Sequence, residues 1–376
     1  MHIAIVINTS WNIYNFRMGL IKAFLEAGHT VTAIAPFDDY AELLQRAGCQ
    51  YEAVKLDNKG ANLCRDLNFT QEIYGVYRRI RPDVALHYTI KPNVYGTLAA
   101  TLLGIPVVNN VSGLGTVFLR DNLASRVAHL LYRFTFRFPK KVFFQNQDDQ
   151  HLFLKRRLVR KSITAVLPGS GVNLTVFQPQ PFKRNHPFTF LVIARLIYDK
   201  GIVEYADAIR ELRSQGIQAN FQLLGFKDPS PLGIPEELLQ SWIDEGLIDY
   251  LGTTDDVRPY IHQADCVVLT SYREGTPRTL LEAISMGKPV LTTDVPGCRE
   301  TVEDGESGLL CQVRDSVDLA EKLKQMVLLK DHDLERMGRK GREIAEKKFN
   351  EDIVVQQYLA VLREIEKSDT KVALCS

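Results

Sequence analysis

A β-branched run followed by a helix-spaced run, repeated down the chain, limits what this sequence can fold into more than any single motif. HIAIVIN (2–8) has the composition of a buried strand, MGLIKAFLEAG (18–28) has helical apolar spacing closed by Gly28, and HTVTAIAP (29–36) is strand-like again. A helix near 39–48 and a strand near 51–55 follow. VALHY (84–88), PVVNNV (106–111) and KVFFQN (141–146) are further strands, with PNVYGTLAATLLG (92–104) a helix between the first two. Alternation of this kind predicts a parallel sheet covered by helices on both faces. QPQPFKRNHP (178–187) breaks it with three prolines, charges and no periodicity, the signature of a linker. The alternation then restarts with FTFLVIA (188–194), FQLLG (221–225), CVVLTS (266–271) and KPVLTTD (288–294), and ends in charged helices over 316–367. At 376 residues the chain exceeds one ordinary core. Two doubly wound α/β halves facing a cleft are therefore expected, with ligands outside the carboxyl ends of the strands. The expected divisions are 1–178, a linker at 179–187, 188–355, and a helix and tail at 356–376 that packs back on the first half.

Composition removes several classes. The net charge is +1, so the whole molecule is not an electrostatic nucleic-acid binder. The six cysteines are scattered without CxxC or zinc spacing, and read as buried, reduced thiols of a cytosolic protein. The start, MHIAIVINTSW, lacks a basic n-region and has too short an apolar run for a secretion signal. No apolar run reaches the roughly 20 residues of a membrane span.

SYREGTPRTLLEAISMG (271–287) carries two glutamates eight residues apart. CVVLTS ends as a strand and YREG turns. Thr276 is placed as the cap of a helix whose first residue is Pro277, and Gly287 stops that helix. Glu274 then lies in the loop at the strand's carboxyl end, and Glu282 about five residues into the helix, roughly 8 Å further along. The first-turn N–H groups between them favour an anion. Carboxylates accept hydrogen bonds and donate none, so the pair suits a ligand with hydroxyls at both ends and phosphates in the middle, such as a nucleotide sugar. An exposed loop glutamate beside a helix-surface glutamate is the plain alternative. In FTFLVIARLIYDKGI, Arg195 lies just past a strand and Lys200 five residues later. Two cations there can neutralise a diphosphate and stabilise charge on a leaving group, or they are two solvated surface charges.

ARLIYDKG, YLGTTDDV and SYREGTPRTLLEAISMGKPVLTTDVPGCRETVEDGESGLL together resemble the retaining glycosyltransferases of family 4, which have the GT-B fold, and PGSGVNLTVFQP (168–179) is similar to the family's interdomain crossing. The resemblance covers essentially the whole chain. It implies that Glu274 contacts the donor sugar, Glu282 holds the ribose, and Arg195 and Lys200 hold the diphosphate. It places Gly275, Thr276 and Thr279 beside the phosphates and sugar, Gly225 where the nucleotide approaches backbone, and Thr254, within Gly252–Val257, near the base. The first loop, NTSWNIYNFRMG (8–19), departs from the glycine pair common in the family. With HYTIKPNVYG (87–96) and VSGLGTVF (111–118), it resembles a narrower bacterial group that extends polyprenyl-diphosphate-linked sugars, N-acetylgalactosaminyltransferases of capsule and O-antigen type among them. Asn15, His87, Lys91, Asn93, Gly113 and Gly115 are the acceptor-side candidates that this implies.

From Arg120 to Lys161 there are eleven Lys/Arg and three Asp/Glu. Leu123, Val127, Leu130, Leu131 and Phe134 share a helical stripe, with Arg126, Arg133 and Arg137 elsewhere around it. This reads either as a core helix with a basic outer face or as a contact with an anionic membrane surface; a lipid-borne acceptor favours the second. DHD (331–333) mimics a metal-binding DxD, but it sits between charged helices and is expected to be a helix junction. No metal is expected to be required, since two cations serve the diphosphate.

The expected function is thus transfer of a hexosyl group, N-acetylhexosamine in type, from a UDP-sugar to a polyprenyl-diphosphate-linked sugar. The enzyme would sit on the inner face of the cytoplasmic membrane and close about 178–187. A soluble acceptor, another donor, or a non-catalytic sugar-nucleotide binder are the rivals. A nicotinamide dehydrogenase fails because the first strand lacks GxGxxG.

Overall fold

The structure, a computed structural model, describes residues 1–56, 63–114 and 123–375. The chain divides into two compact units, Met1–Ser170 with Glu351–Ser376, and Gly171–Asn350. Residues 179–187, expected as a linker, lie within the second unit and lead into its first strand.

The first unit runs β1 (His2–Val6), α1 (Ser10–Glu26), β2 (Thr30–Ala35), α2 (Tyr40–Arg46), β3 (Gln50–Ala53), α3 (Leu63–Ile80), β4 (Val84–Tyr88), α4 (Thr97–Leu102), β5 (Val107–Val111), α5 (Leu123–Thr135), β6 (Lys141–Phe144), α6 (Gln147–Lys155) and β7 (Thr164–Val166). Its seven strands are ordered β3-β2-β1-β4-β5-β6-β7, all parallel. Both faces of this sheet are covered, so β1 is apolar from Ile3 onward and alternates by size rather than polarity, while β4 and β5 bury the polar His87, Asn109 and Asn110. Along β1, Ile3, Ile5 and the following Ile7 pack with Ile21 and Phe24 of α1, while Ala4 and Val6 pack with Ile73 and Tyr77 of α3.

The second unit runs β8 (Phe188–Ile193), α7 (Ile202–Ser214), β9 (Ala219–Leu224), α8 (Glu236–Asp244), β10 (Asp249–Tyr250), α9 (Arg258–Gln263), β11 (Cys266–Leu269), α10 (Arg278–Ser285), β12 (Val290–Thr293), β13 (Gly308–Cys311), α11 (Ser316–Leu328) and α12 (Asp331–Ile344). Its parallel sheet is ordered β10-β9-β8-β11-β12-β13. Phe190 and Val192 of β8 pack with Tyr205 and Ile209 of α7, and Leu191 packs on the other face with Leu280 and Leu281 of α10. The last helix, α13 (Glu351–Cys375), belongs to the first unit, where Tyr358 and Leu362 share the core of α1.

Several elements depart from the sequence reading. The stretch 8–19, taken as a loop, is already helix from Ser10. Thr9 is extended and its side chain accepts from Asn12 N at 3.1 Å, which caps α1. Trp, Asn, Tyr and Phe are indifferent helix formers, and burial of Ile13, Arg17, Leu20 and Phe24 on one face outweighs them. The helix expected over 92–104 opens as a π-helical turn, Pro92–Gly96, before α4. Strands β7 and β10 are short, at three and two residues, and fall below what alternation can signal; β13, with four, is likewise absent from the sequence reading. Cys49, Cys266, Cys298 and Cys311 are free and buried; burial pushes Cys49 up to about 11 and Cys298 up to about 12, which keeps them as thiols. The side chains of Cys64 and Cys375 lie outside the described residues.

Candidate active site

In the second unit β8 lies between β9 and β11, all running the same way. The segments that leave their carboxyl ends therefore meet at one edge of the sheet. Arg195 and Lys200 follow β8, Gly225 follows β9, and Glu274 follows β11. Parallel strand order alone brings these sequence-distant residues together.

Lys200 Nζ and Glu274 Oε1 form a mostly buried ion pair. Both ends are held by backbone. Thr270 Oγ1, just past β11, donates to the carbonyls of Lys200 and Gly201 (2.8 and 2.9 Å), and Glu274 N donates to Pro296 O at 3.1 Å. Gly201 has φ +66, and a Cβ there would stand 2.2 Å from Thr270 O. Arg195 Nη1 lies 3.5 Å from Asp228 Oδ2; the Arg195 side chain is 48% exposed and that of Asp228 only 11%. Thus a guanidinium and an ammonium sit at one sheet edge, each with a carboxylate beside it, and the guanidinium remains open to solvent.

Gly225 earns its place sterically. Its φ is +150, and a Cβ would lie 1.8 Å from Ala194 O, so the neighbouring backbone of this unit already requires glycine there. Tyr250 Oη donates to Gly225 O at 2.9 Å and Gly225 N to Gly252 O at 2.8 Å, which joins β9 to the 252–257 loop. Within that loop Thr254 Oγ1 donates to Asp256 O at 3.0 Å, and Asp256 takes two bonds of 2.8 Å from Arg258.

α10 begins at Arg278, one residue after the expected start, with Pro277 at the cap position and no side-chain cap bond. Gly275 and Thr276 thus lie in the turn before it. Thr279 Oγ1 donates to Ile193 O at 3.1 Å, which pins the first turn of α10 to the end of β8. Glu282 is the fifth residue of α10 and is buried at 9% exposure. Burial raises its pKa, and Arg278, whose Nε lies 2.9 Å from Glu282 Oε1, opposes that rise. Sequence reasoning missed Asp228 and Arg278. The R-x3-E spacing of Arg278 and Glu282 is a legible i,i+4 pair, whereas nothing in KDPSP marks Asp228.

The first-unit candidates lie within or after β1, β4 and β5, which are neighbours, with His87 inside β4 itself. His87 is fully buried: Tyr77 Oη lies 2.6 Å from Nε2 and Asn109 Oδ1 3.1 Å from Nδ1. Burial lowers its pKa to about 3, so the ring is neutral. A Cβ at Gly96 would stand 2.9 Å from His87 Nε2, so the ring fills the space under the π turn. Asn93 is also buried and donates to Asn110 O at 2.8 Å. In this structure both side chains support the loop from within. Lys91 Nζ pairs with the buried Asp66 at 2.7 Å, and Tyr95 Oη donates to the other Asp66 oxygen at 3.1 Å. Asn15 lies on α1 and donates to Trp11 O at 3.0 Å. Gly113 adopts φ +127 past β5, and Gly115 lies outside the described residues. DHD opens α12, where Asp331 pairs with Arg184 at 3.1 Å.

Comparison with known proteins matches both halves of the chain. Residues 2–146 match the model of "glycosyl transferase 4-like" proteins, and residues 187–328 that of "glycosyl transferases group 1". The chain is 28% identical, over 98% of its length and 100% of the relative's, to the N,N'-diacetylbacillosaminyl-diphospho-undecaprenol α-1,3-N-acetylgalactosaminyltransferase of Campylobacter jejuni. It is 22% identical, over 68% of its length and 69% of the relative's, to the Escherichia coli UDP-Gal:α-D-GlcNAc-diphosphoundecaprenol α-1,3-galactosyltransferase. The crystal structure of Anabaena HepE in complex with UDP superposes with a TM-score of 0.77, at 20% identity, over 97% of this chain and 100% of that one. With both halves matched and two parallel sheets built as the fold requires, the chain belongs to the group 1, family-4-like glycosyltransferases of GT-B fold.

Proposed function

We propose that the protein is a retaining glycosyltransferase that moves a hexosyl group, N-acetylhexosamine in type, from a UDP-sugar to a polyprenyl-diphosphate-linked sugar in cell-surface glycan assembly. The observation that carries this reading is the Lys200–Glu274 pair with Arg195 at one sheet edge. The full-length likeness to a transferase whose name gives a diphospho-undecaprenol acceptor and an N-acetylgalactosaminyl group supports the finer choice.

In this reading the diphosphate lies against Arg195 and Lys200, which take up charge on the leaving UDP. Glu274 accepts from a sugar hydroxyl and Glu282 from the ribose. The bond from the anomeric carbon to the phosphate oxygen breaks, the acceptor oxygen bonds the same face, and its proton passes to the departing phosphate. The two cations do the work otherwise given to a metal ion, so UDP binds without Mg²⁺. Calorimetry with UDP, GDP and ADP, with and without Mg²⁺, tests this. Arg195→Ala and Lys200→Ala should each weaken UDP binding roughly 10- to 100-fold, the effect of losing one charge-assisted hydrogen bond. Equal affinity for all three nucleotides, or no loss in either variant, overturns the donor assignment.

α5 supports the membrane-borne acceptor. Part of its apolar stripe faces solvent: Val127, Leu130 and Phe134 are 44, 68 and 53% exposed, and Phe138 continues the line with its ring edge-on to Phe134 at 5.5 Å, whereas Leu131 packs against the core and the side chain of Leu123 lies outside the described residues. Arg126, Arg133 and Arg137 are exposed around it, in a stretch of net charge +8. Among the described residues no helix is long and apolar enough to cross a membrane. Exposed apolar side chains ringed by arginines fit the surface of an anionic bilayer. The protein should float with phosphatidylglycerol-containing vesicles at low salt, and L130D/F134D should cut the bound fraction several-fold. Absence of flotation, or flotation untouched by the double substitution, removes the membrane contact from the proposal.

A further inference from the structure

Arg278 sits between two features of the second unit that sequence reading treats separately. Its Nε lies 2.9 Å from Glu282 Oε1, its Nη1 donates to Gly171 O at 3.0 Å, and its guanidinium stands 5.8 Å from the ring centre of buried Phe177. Gly171 and Phe177 belong to the segment that opens this unit, 107 and 101 residues before it in sequence. A planar guanidinium suits this task, because one edge serves the carboxylate while another nitrogen reaches the carbonyl.

We propose that Arg278 is a positioning residue for nucleotide-sugar binding: it holds the Glu282 carboxylate ionised and in place for the donor by tying it to the backbone at Gly171. This rests on the reading of Glu282 as the ribose-binding carboxylate.

The physical need is plain. A carboxylate that accepts from two hydroxyls must be ionised, and Glu282 is buried, which favours its neutral form. The other charges around it do not supply the compensation. Asp256, in the 252–257 loop, is negative and raises the Glu282 pKa further, while Arg258 is engaged by Asp256. From α12, Arg342 is turned to the carbonyls of Ser285 and Phe177 and to Glu346. Lys288, past the end of α10, donates to His262 O. Arg278 is the cation in contact with the carboxylate among these groups. Its removal should move the Glu282 titration further upward, in the direction that burial and Asp256 already drive it.

The test is UDP binding by calorimetry between pH 6 and 9 for wild type, Arg278→Gln, Arg278→Lys and Glu282→Gln, with the wild-type curve correcting for ionisation of the nucleotide itself. Arg278→Gln should bind UDP roughly tenfold or more weakly than wild type at pH 6 and recover most of that loss by pH 9, following the shifted titration. Arg278→Lys keeps the charge but cannot span both partners, so its deficit should be smaller and flat with pH. A loss in Arg278→Gln that is the same at every pH, or a lysine variant with the glutamine variant's pH dependence, overturns the proposal. If Arg278→Gln does not fold, the flat lysine profile remains the deciding measurement. Glu282→Gln separates the two levels of inference. Unchanged UDP affinity in that variant refutes the ribose assignment itself, whereas weakened affinity with a pH-independent Arg278→Gln refutes only the positioning role.

Discussion

Under the proposed function, Glu274→Ala is expected to lower kcat by about two to three orders of magnitude and to leave UDP affinity within a few-fold of wild type. The size follows from removing a preorganised polar contact from the reacting sugar, in a site where such contacts act at short range. The selectivity for kcat follows from the local structure. The Glu274 backbone is fixed by its N–H to Pro296 O at 3.1 Å and by close approach to Gly297, so truncating the side chain leaves the turn in place. Lys200, which pairs with Glu274, would keep its backbone anchor through Thr270 and be freer to meet phosphate. Steady-state kinetics beside UDP calorimetry checks both halves. Turnover that survives the substitution means Glu274 does not touch the reacting sugar.

Gly225→Ala lowers the stability of the second unit by about 3 kcal/mol or more, the range of substitutions that force a special backbone position to move. The methyl group would stand 1.8 Å from Ala194 O, and its backbone would have to hold φ +150. Gly246→Ala provides the contrast. It too has positive φ, at +65, but nothing lies within 4 Å of its Cβ, so only the conformational cost of about 1–2 kcal/mol applies. Thermal unfolding should place the two variants apart, with midpoints lowered by roughly 6–12 °C and 2–8 °C, using about 2–4 °C per kcal/mol for a unit of this size. Since Ala194 immediately precedes Arg195, the residual folded Gly225→Ala protein should also bind UDP less well. Equal midpoints for the two variants would mean that the sheet edge yields easily and that Gly225 is not sterically required.

Local patterning carried the architecture. β-branched runs alternating with helix-spaced runs imply parallel sheets wherever they occur, because only helices on both faces can cover strands apolar on both sides. The seven-stranded and six-stranded sheets bear this out. The same logic placed Arg195, Lys200 and Glu274 at one edge, since residues that follow strands β8 and β11 must emerge together. Where elements were short or their residues indifferent, the sequence was silent. The two residues of β10 contain no period, and α1 begins at Ser10 through burial that no propensity scale records.

What only the tertiary structure decided are contacts set by burial and by long-range approach. A histidine after a strand reads the same whether it faces a ligand or a tyrosine; the packing of Tyr77, Asn109 and Gly96 around His87 turns it inward. The stripe of α5 is apolar in sequence whichever way it points, and the fold buries Tyr132 and Phe136 while leaving Leu130 and Phe134 in solvent. Asp228 beside Arg195 and Gly171 beside Arg278 are pairings across 33 and 107 residues. By itself the sequence determined the fold and the charged residues at the strand ends, because these depend on periodicity and spacing along the chain, and its motifs carried the resemblance to the family. Which of those charges is buried, what each one faces and which side chain is held in reserve depend on where distant segments come to rest, and only packing in three dimensions sets that.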